Sequence, residues 1–172
     1  LYLPERTIGM LPTRVSHELG SLEAGATRAA ISVLVRFSHL HQVTDWEVVP
    51  SVVRSDGSLS YEDADRALSD KSDRWQSMLQ GLHQAAQSLR SRRESAGAVN
   101  LDRPEMTIKV RSPGSVEVKV VQRSTAAREL VTELMILCNS LLADFARRNG
   151  LPAVFRSQGT PDLSDMPADI HK

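Results

Sequence analysis

The residues of this chain best equipped for chemistry cluster in the stretch "RELVTELMILCNSLLADF", residues 128–145. A carboxylate, Glu133, and an amide, Asn139, interrupt a run dominated by leucine and other apolar residues. A carboxylate in such company needs a hydrogen-bond donor, because burying it alone is costly. Two uses fit. Glu133 and Asn139 form one wall of a binding cleft, where Glu133 holds a ribose or orients a neighbour, or they belong to a second protein surface whose polar groups bond to one another. Arg128 is only five residues from Glu133, so the donor is expected elsewhere. A second set is "RSRRE", residues 90–94, in which Arg90, Arg92 and Arg93 precede Glu94. Such arginines either contact phosphate or sit at a helix C-terminus, where cations suit the dipole. The third candidate is Tyr2. The proline after Leu3 holds that segment extended, so the ring either stacks on a base or is buried in a core.

Other chemistries find little support. The five histidines, His17, His39, His41, His83 and His171, are scattered, and His39 with His41 enter a turn. Asp63 and Asp65 sit two apart on an expected helix and point to different faces, so helix surface charge is expected rather than a magnesium site. There is no Gly-rich phosphate loop and no nucleophile elbow. Cys138, the one cysteine, falls on an apolar arc and excludes an internal disulfide. No metal is expected to bind this chain.

Lys plus Arg number 21 and Asp plus Glu number 21, a balance that argues against non-specific nucleic-acid binding by charge alone, so any such contact must use local patches. No apolar run approaches the roughly 20 residues that span a bilayer, and no membrane association is expected. The start at Leu1 and the Pro/Asp-rich end "PDLSDMPADIHK" suggest a segment of a longer protein.

The elements that position these residues can be read from periodicity. Residues 1–27 are irregular, with one short helix around Pro12–Leu19. "RAAISVLVRF" alternates as a half-buried strand, with Ile31, Val33, Val35 and Phe37 inward and Ser32 and Arg36 outward. "DWEVVPSVVRS" is a second strand in which Pro50 marks an edge or bulge. Ser60 and Asp63 form a capping box for a helix over about residues 61–69. An amphipathic helix over residues 73–92 carries Trp75, Met78, Leu79, Leu82, Ala85, Ala86 and Leu89 on a stripe about 120° wide. "MTIKVR" and "SVEVKVV" form a hairpin through Pro113-Gly114. The last helix runs from about Thr125 to Asn149, capped by Ser124 and stopped by Gly150. Its apolar residues, from Leu130 to Phe145, fill an arc of about 160° that should pack on the sheet, with Glu133 and Asn139 outside it. The fold class is α+β, a small antiparallel sheet packed with two long amphipathic helices.

Three blocks then resemble one family. "YLPERTIGMLPTRVSHELGSLEAGATRAAISV", "SAGAVNLDRPEMTIKV" and "STAARELVTELMILCNSLLADFARRNGLPAVFR" are similar, in order and spacing, to the central part of the ribonuclease II family catalytic domain, the RNB type. "MILC" and "FRSQ" resemble its cyanobacterial and chloroplast branch. The resemblance implies that residues 1–156 are the middle of an RNB-like domain and 157–172 an irregular tail. It implies a 3′→5′ exoribonuclease that degrades single-stranded RNA processively to nucleoside 5′-monophosphates with magnesium, with no role for DNA, in the cytoplasm or, in a plant, the chloroplast. Tyr2 then matches an aromatic that stacks on the RNA 3′ end, Glu133 and Asn139 a motif beside the active-site cavity, and Arg156 the arginine of "F-R". The family's catalytic aspartates would precede Leu1, and its "S-P-I-R-R-Y" segment would follow Lys172, so this chain alone is expected to be inactive. Gly9, Gly20, Asn100 and Thr132 depart from the family pattern. The alternatives are a non-catalytic RNA-binding or protein-interaction module of the same fold, and a plain helix–sheet module outside the family.

Overall fold

A computed structural model of the chain describes residue 3 and residues 8–99, 105–112, 115–121 and 124–156. Tyr2, Asn100, the Pro113-Gly114 turn and the 157–172 tail lie outside the described residues.

Around Arg14–Leu19 the chain makes one wide π-helical turn, where a short helix was expected. Strands β1 (Thr27–Phe37) and β2 (Val43–Arg54) then form a long antiparallel ribbon, and β3 (Glu105–Ser112) and β4 (Ser115–Val121) form a second. The α+β class holds, but the four strands make two separate two-stranded sheets and not one. Pro50 is accommodated opposite Ile31 because both strands of a two-stranded ribbon are edges. The irregularity in register falls between Arg36 and Phe37.

The expected inward face of β1 holds only in its second half. Val33, Val35 and Phe37 are half-buried, whereas Ile31 is 66% exposed. In the first half Arg28, Ala30 and Ser32 are the more covered residues, and the Ser32 and Ser51 hydroxyls lie 2.7 Å apart across the ribbon. Two-stranded ribbons twist strongly, so one flat face cannot stay covered along 11 residues.

Three helices build the core: α1 (Tyr61–Ser69), α2 (Gln76–Ser95) and α3 (Ala126–Arg148). The capping box at the start of α1 is present. The Ser60 hydroxyl accepts from the Asp63 N–H at 3.1 Å, and the Asp63 carboxylate accepts from the Ser60 N–H at 3.4 Å. Helix α3 is capped by Thr125 rather than Ser124, because Thr125 has the extended backbone and accepts from the Arg128 N–H. Its end follows the glycine rule: Gly150 takes φ +62°, which frees Leu151 N–H to bond the Ala146 carbonyl at 2.9 Å.

Ala67, Leu79, Ala86 and Leu130 are the buried centre, flanked by Ala64, Leu68, Trp75, Leu82 and Leu134. Ala86 is fully buried, and its small side chain lets α2 and α3 approach closely. Helix α3 therefore packs most closely on α2, and meets α1 and the β1–β2 ribbon to similar extents, with Arg148 lying over the Trp46 ring of β2. The expectation that its leucine face would lie on a sheet is thus corrected: the main partner of α3 is a helix.

Candidate nucleic-acid interface

Helix α3 is rotated from the position its hydrophobic arc implied. The buried side carries Ala127, Leu130 and Glu133, while Val131, Met135 and Leu142 are exposed. Arg93 on α2 supplies the counter-charge on that side. Its Nη2 donates to Glu133 Oε1 at 2.6 Å and its Nε to Oε2 at 3.1 Å, a two-point clamp on a carboxylate that is only 3% exposed. This hydrogen bonding holds the Arg93 guanidinium above its ordinary pKa. One turn earlier, Arg90 donates to Glu94 at 2.8 Å on its own helix and to Glu129 at 3.0 Å on α3. Leu79, Leu82 and Ala86 continue into Arg90 and Arg93 along one face of α2, so that face changes from apolar to cationic along its length.

These contacts revise the expected site. Arg90 and Arg93 are committed to carboxylates and are not free phosphate contacts; Arg92 is exposed. The donor for Glu133 is thus an arginine 40 residues away. Any further bond to Glu133 must use acceptor positions that Arg93 leaves. Asn139 is exposed and Glu133 buried, so α3 does not bring the two to one face. Arg156 is exposed in the irregular segment after α3.

The N-terminus of α3 shows two contacts the sequence did not disclose. Asp65 Oδ1 accepts from the Ala127 N–H at 2.8 Å, which places an α1 carboxylate at the positive end of α3. The Arg128 guanidinium lies over the Tyr61 ring, 4.2 Å from its centroid. Asp65 is therefore a tertiary cap and Asp63 a cap of its own helix; neither is plain surface charge. Beside them opens a groove of about 520 Å³, lined by Leu59, Tyr61, Glu62, Leu68, Leu130 and Val131 among others. From Tyr61 an exposed stripe runs along α3 through Val131, Thr132, Met135 and Asn139. An arginine–aromatic stack beside an apolar groove is a surface suited to planar, anionic ligands such as nucleotides. Spacing alone could not reveal it, because Tyr61 and Arg128 are far apart in sequence.

Among the described residues no group of three or more His, Cys, Asp or Glu side chains could hold a metal ion. They do not fit a magnesium site, and no chemical step here can be routed through one. No described helix is long and apolar enough to cross a membrane.

Comparison with known proteins places this arrangement. The RNB domain family model matches residues 1–168. An uncharacterized ribonuclease of Synechocystis is 34% identical over 95% of the chain, and a chloroplastic/mitochondrial ribonuclease II of Arabidopsis thaliana is 30% identical over 99%. These relatives match the cyanobacterial and chloroplast flavour of the sequence. The chain spans only 24% and 22% of their lengths. The fold is shared with Mycoplasma genitalium RNase R in complex with double-stranded RNA, at a TM-score of 0.73 and 18% identity, over 83% of this chain and 26% of that one. With the family model covering nearly every residue and the same fold found in an RNase R, this chain belongs to the RNB domain family.

Proposed function

We propose that the chain is the central segment of a 3′→5′ exoribonuclease that hydrolyses single-stranded RNA processively to nucleoside 5′-monophosphates. Family membership over residues 1–168 carries this reading. It is supported by relatives named ribonuclease R and ribonuclease II, and by a fold neighbour, Mycoplasma genitalium RNase R, solved with ribose-methylated single-stranded RNA. Magnesium would act in the whole enzyme, polarising the phosphate and activating water, on aspartates outside this chain.

Within these residues the work is binding and orientation. The Tyr61–Arg128 stack and the exposed α3 stripe through Asn139 line the cavity for the RNA 3′ end. Tyr2 stacks on a base, Arg92, Arg156 and the exposed Asn139 meet RNA, and Glu133, enclosed against Arg93, fixes how α3 is turned. The protein acts in the cytoplasm, or in the chloroplast in a plant; one relative is named chloroplastic/mitochondrial.

The test is nucleotide release from labelled single-stranded RNA with magnesium. The full-length protein should shorten it stepwise to monophosphates, and the 172-residue chain alone should release nothing. Release by the chain alone that disappears with Glu133→Gln would place a metal site inside these residues. Tight RNA binding by the full-length protein without hydrolysis would instead favour the non-catalytic module.

A further inference from the structure

We propose that the outer edge of β1 is a docking surface for an added β-strand, supplied by the polypeptide that precedes Leu1 in the full-length protein. The inference concerns how the sheet is completed and does not rest on the reaction proposed above.

The β1–β2 ribbon has two outer edges, and they are unlike. Pro50 lies inside β2, in regular register opposite Ile31. Proline has no N–H, so in an unbroken ladder its nitrogen faces the free edge. The outer edge of β2 is therefore short of a donor partway along, a device that discourages further pairing. Strand β1 carries no proline in its 11 residues. Directly opposed residues of an antiparallel pair turn their N–H groups both inward or both outward. Ile31 thus shares the outward sense of Pro50, and Ala29, Val33 and Val35 follow it at steps of two. Their amides and carbonyls form an uninterrupted row along the free edge. Such a row on a long, apolar strand templates pairing unless something covers it. The side chains agree, since Ile31 is 66% and Leu34 49% exposed.

The identity of the occupant follows from strand order. β2, the next strand in sequence, already holds one edge of β1, and β3 and β4 pair with each other. Among the described residues no strand precedes β1. Consecutive strands are neighbours in roughly two-thirds of cases, so the missing neighbour is the strand before Leu1. Thr27 is also far nearer to Leu1 than to Lys172 along the chain, and closure entropy favours the shorter loop. This chain spans 24% of its Synechocystis relative, which leaves ample polypeptide to supply a strand.

Amide hydrogen exchange in the full-length protein reads the two edges separately. The outward amides of β1, at Ala29, Ile31, Val33 and Val35, should exchange on the order of 100-fold more slowly than those of β2 at Val48 and Val52. Equal rates at the two edges, or slower exchange at β2, would overturn the proposal. A photo-crosslinking side chain in place of Ile31 identifies the occupant, because the residue opposite it on an added strand lies within about 5 Å. The expected product joins Ile31's position to a peptide from before Leu1. Crosslinks confined to residues 1–172, or reaching a peptide beyond Lys172, a second copy or another protein, would each overturn it. Where the labelled protein fails to fold, the exchange rates of the unlabelled protein decide alone.

Discussion

The three-helix unit and the β1–β2 ribbon are built on opposite plans. Every described residue in the buried class lies on a helix: Ala67 on α1, Leu79, Ala85 and Ala86 on α2, and Ala127, Leu130, Glu133 and Ala146 on α3. The ribbon, though longer than any single pair of helical turns, has none, and it leaves Ile31, Leu34 and Val52 at 66%, 49% and 73% exposure. The helices find their packing partners inside the chain. The ribbon is held by its own backbone ladder, by the Ser32–Ser51 hydroxyl pair and by its contacts with α3, among them Arg148 over the Trp46 ring. The difference shows what orders each region: side-chain burial in one, register in the other. Substitutions should therefore be felt very unequally.

The largest effect should come from the helical centre. Leu130→Ala opens a cavity beneath α1 and α2 and should cost about 3 kcal/mol, read as a lower urea midpoint for the chain. Glu133→Ala leaves the Arg93 guanidinium without its main partner. Because that arginine is partly exposed, the loss should be nearer 2 kcal/mol than the full cost of a stranded buried charge, again by urea denaturation. Adding Arg93→Met to Glu133→Ala should recover part of it. Ser60→Ala removes the capping hydroxyl of α1 and should cost about 1 kcal/mol. It should also flatten an acid response. The Ser60 hydrogen bonds hold the Asp63 carboxyl below its ordinary pKa. A carboxylate lowered on folding stabilises the fold above its unfolded pKa, near 4, and that support is lost as pH falls through the folded value. Helix content followed from pH 6 to 2 should thus fall less steeply in Ser60→Ala. The smallest effect belongs to the ribbon: Ile31→Thr should change stability by no more than about 0.5 kcal/mol. A cost near that of Leu130→Ala would break the contrast.

Local signals predicted the elements well. Ser60 with Asp63, Gly150 after α3, and the alternations of β1 to β4 each depend on neighbours in sequence, so each could be read there. The site was harder. Glu133 was correctly marked as needing a distant donor, but nothing near it names Arg93, because the pair is made only when α2 and α3 pack. The orientation of α3 was hidden for the same reason, since a helical wheel weighs apolar residues and gives no credit to a carboxylate whose counter-charge comes from another helix. The role of Asp65 is hidden in the sequence for a related reason: its partner is a backbone N–H at the start of another helix, and nearly every residue type carries that group. Family membership was legible because whole blocks of side chains, not single contacts, carry it.

Arg90 and Glu129 are 39 residues apart, and the stretch between them contains the β3–β4 hairpin. Their ion pair, with Arg93 and Glu133 beside it, makes that stretch a closed excursion that leaves and re-enters one clasp. Closure entropy grows slowly, by about 0.6 kcal/mol for each doubling of loop length. The hairpin can therefore be lengthened, shortened or exchanged over evolutionary time at little thermodynamic cost, while the helices that frame the cavity stay where they are.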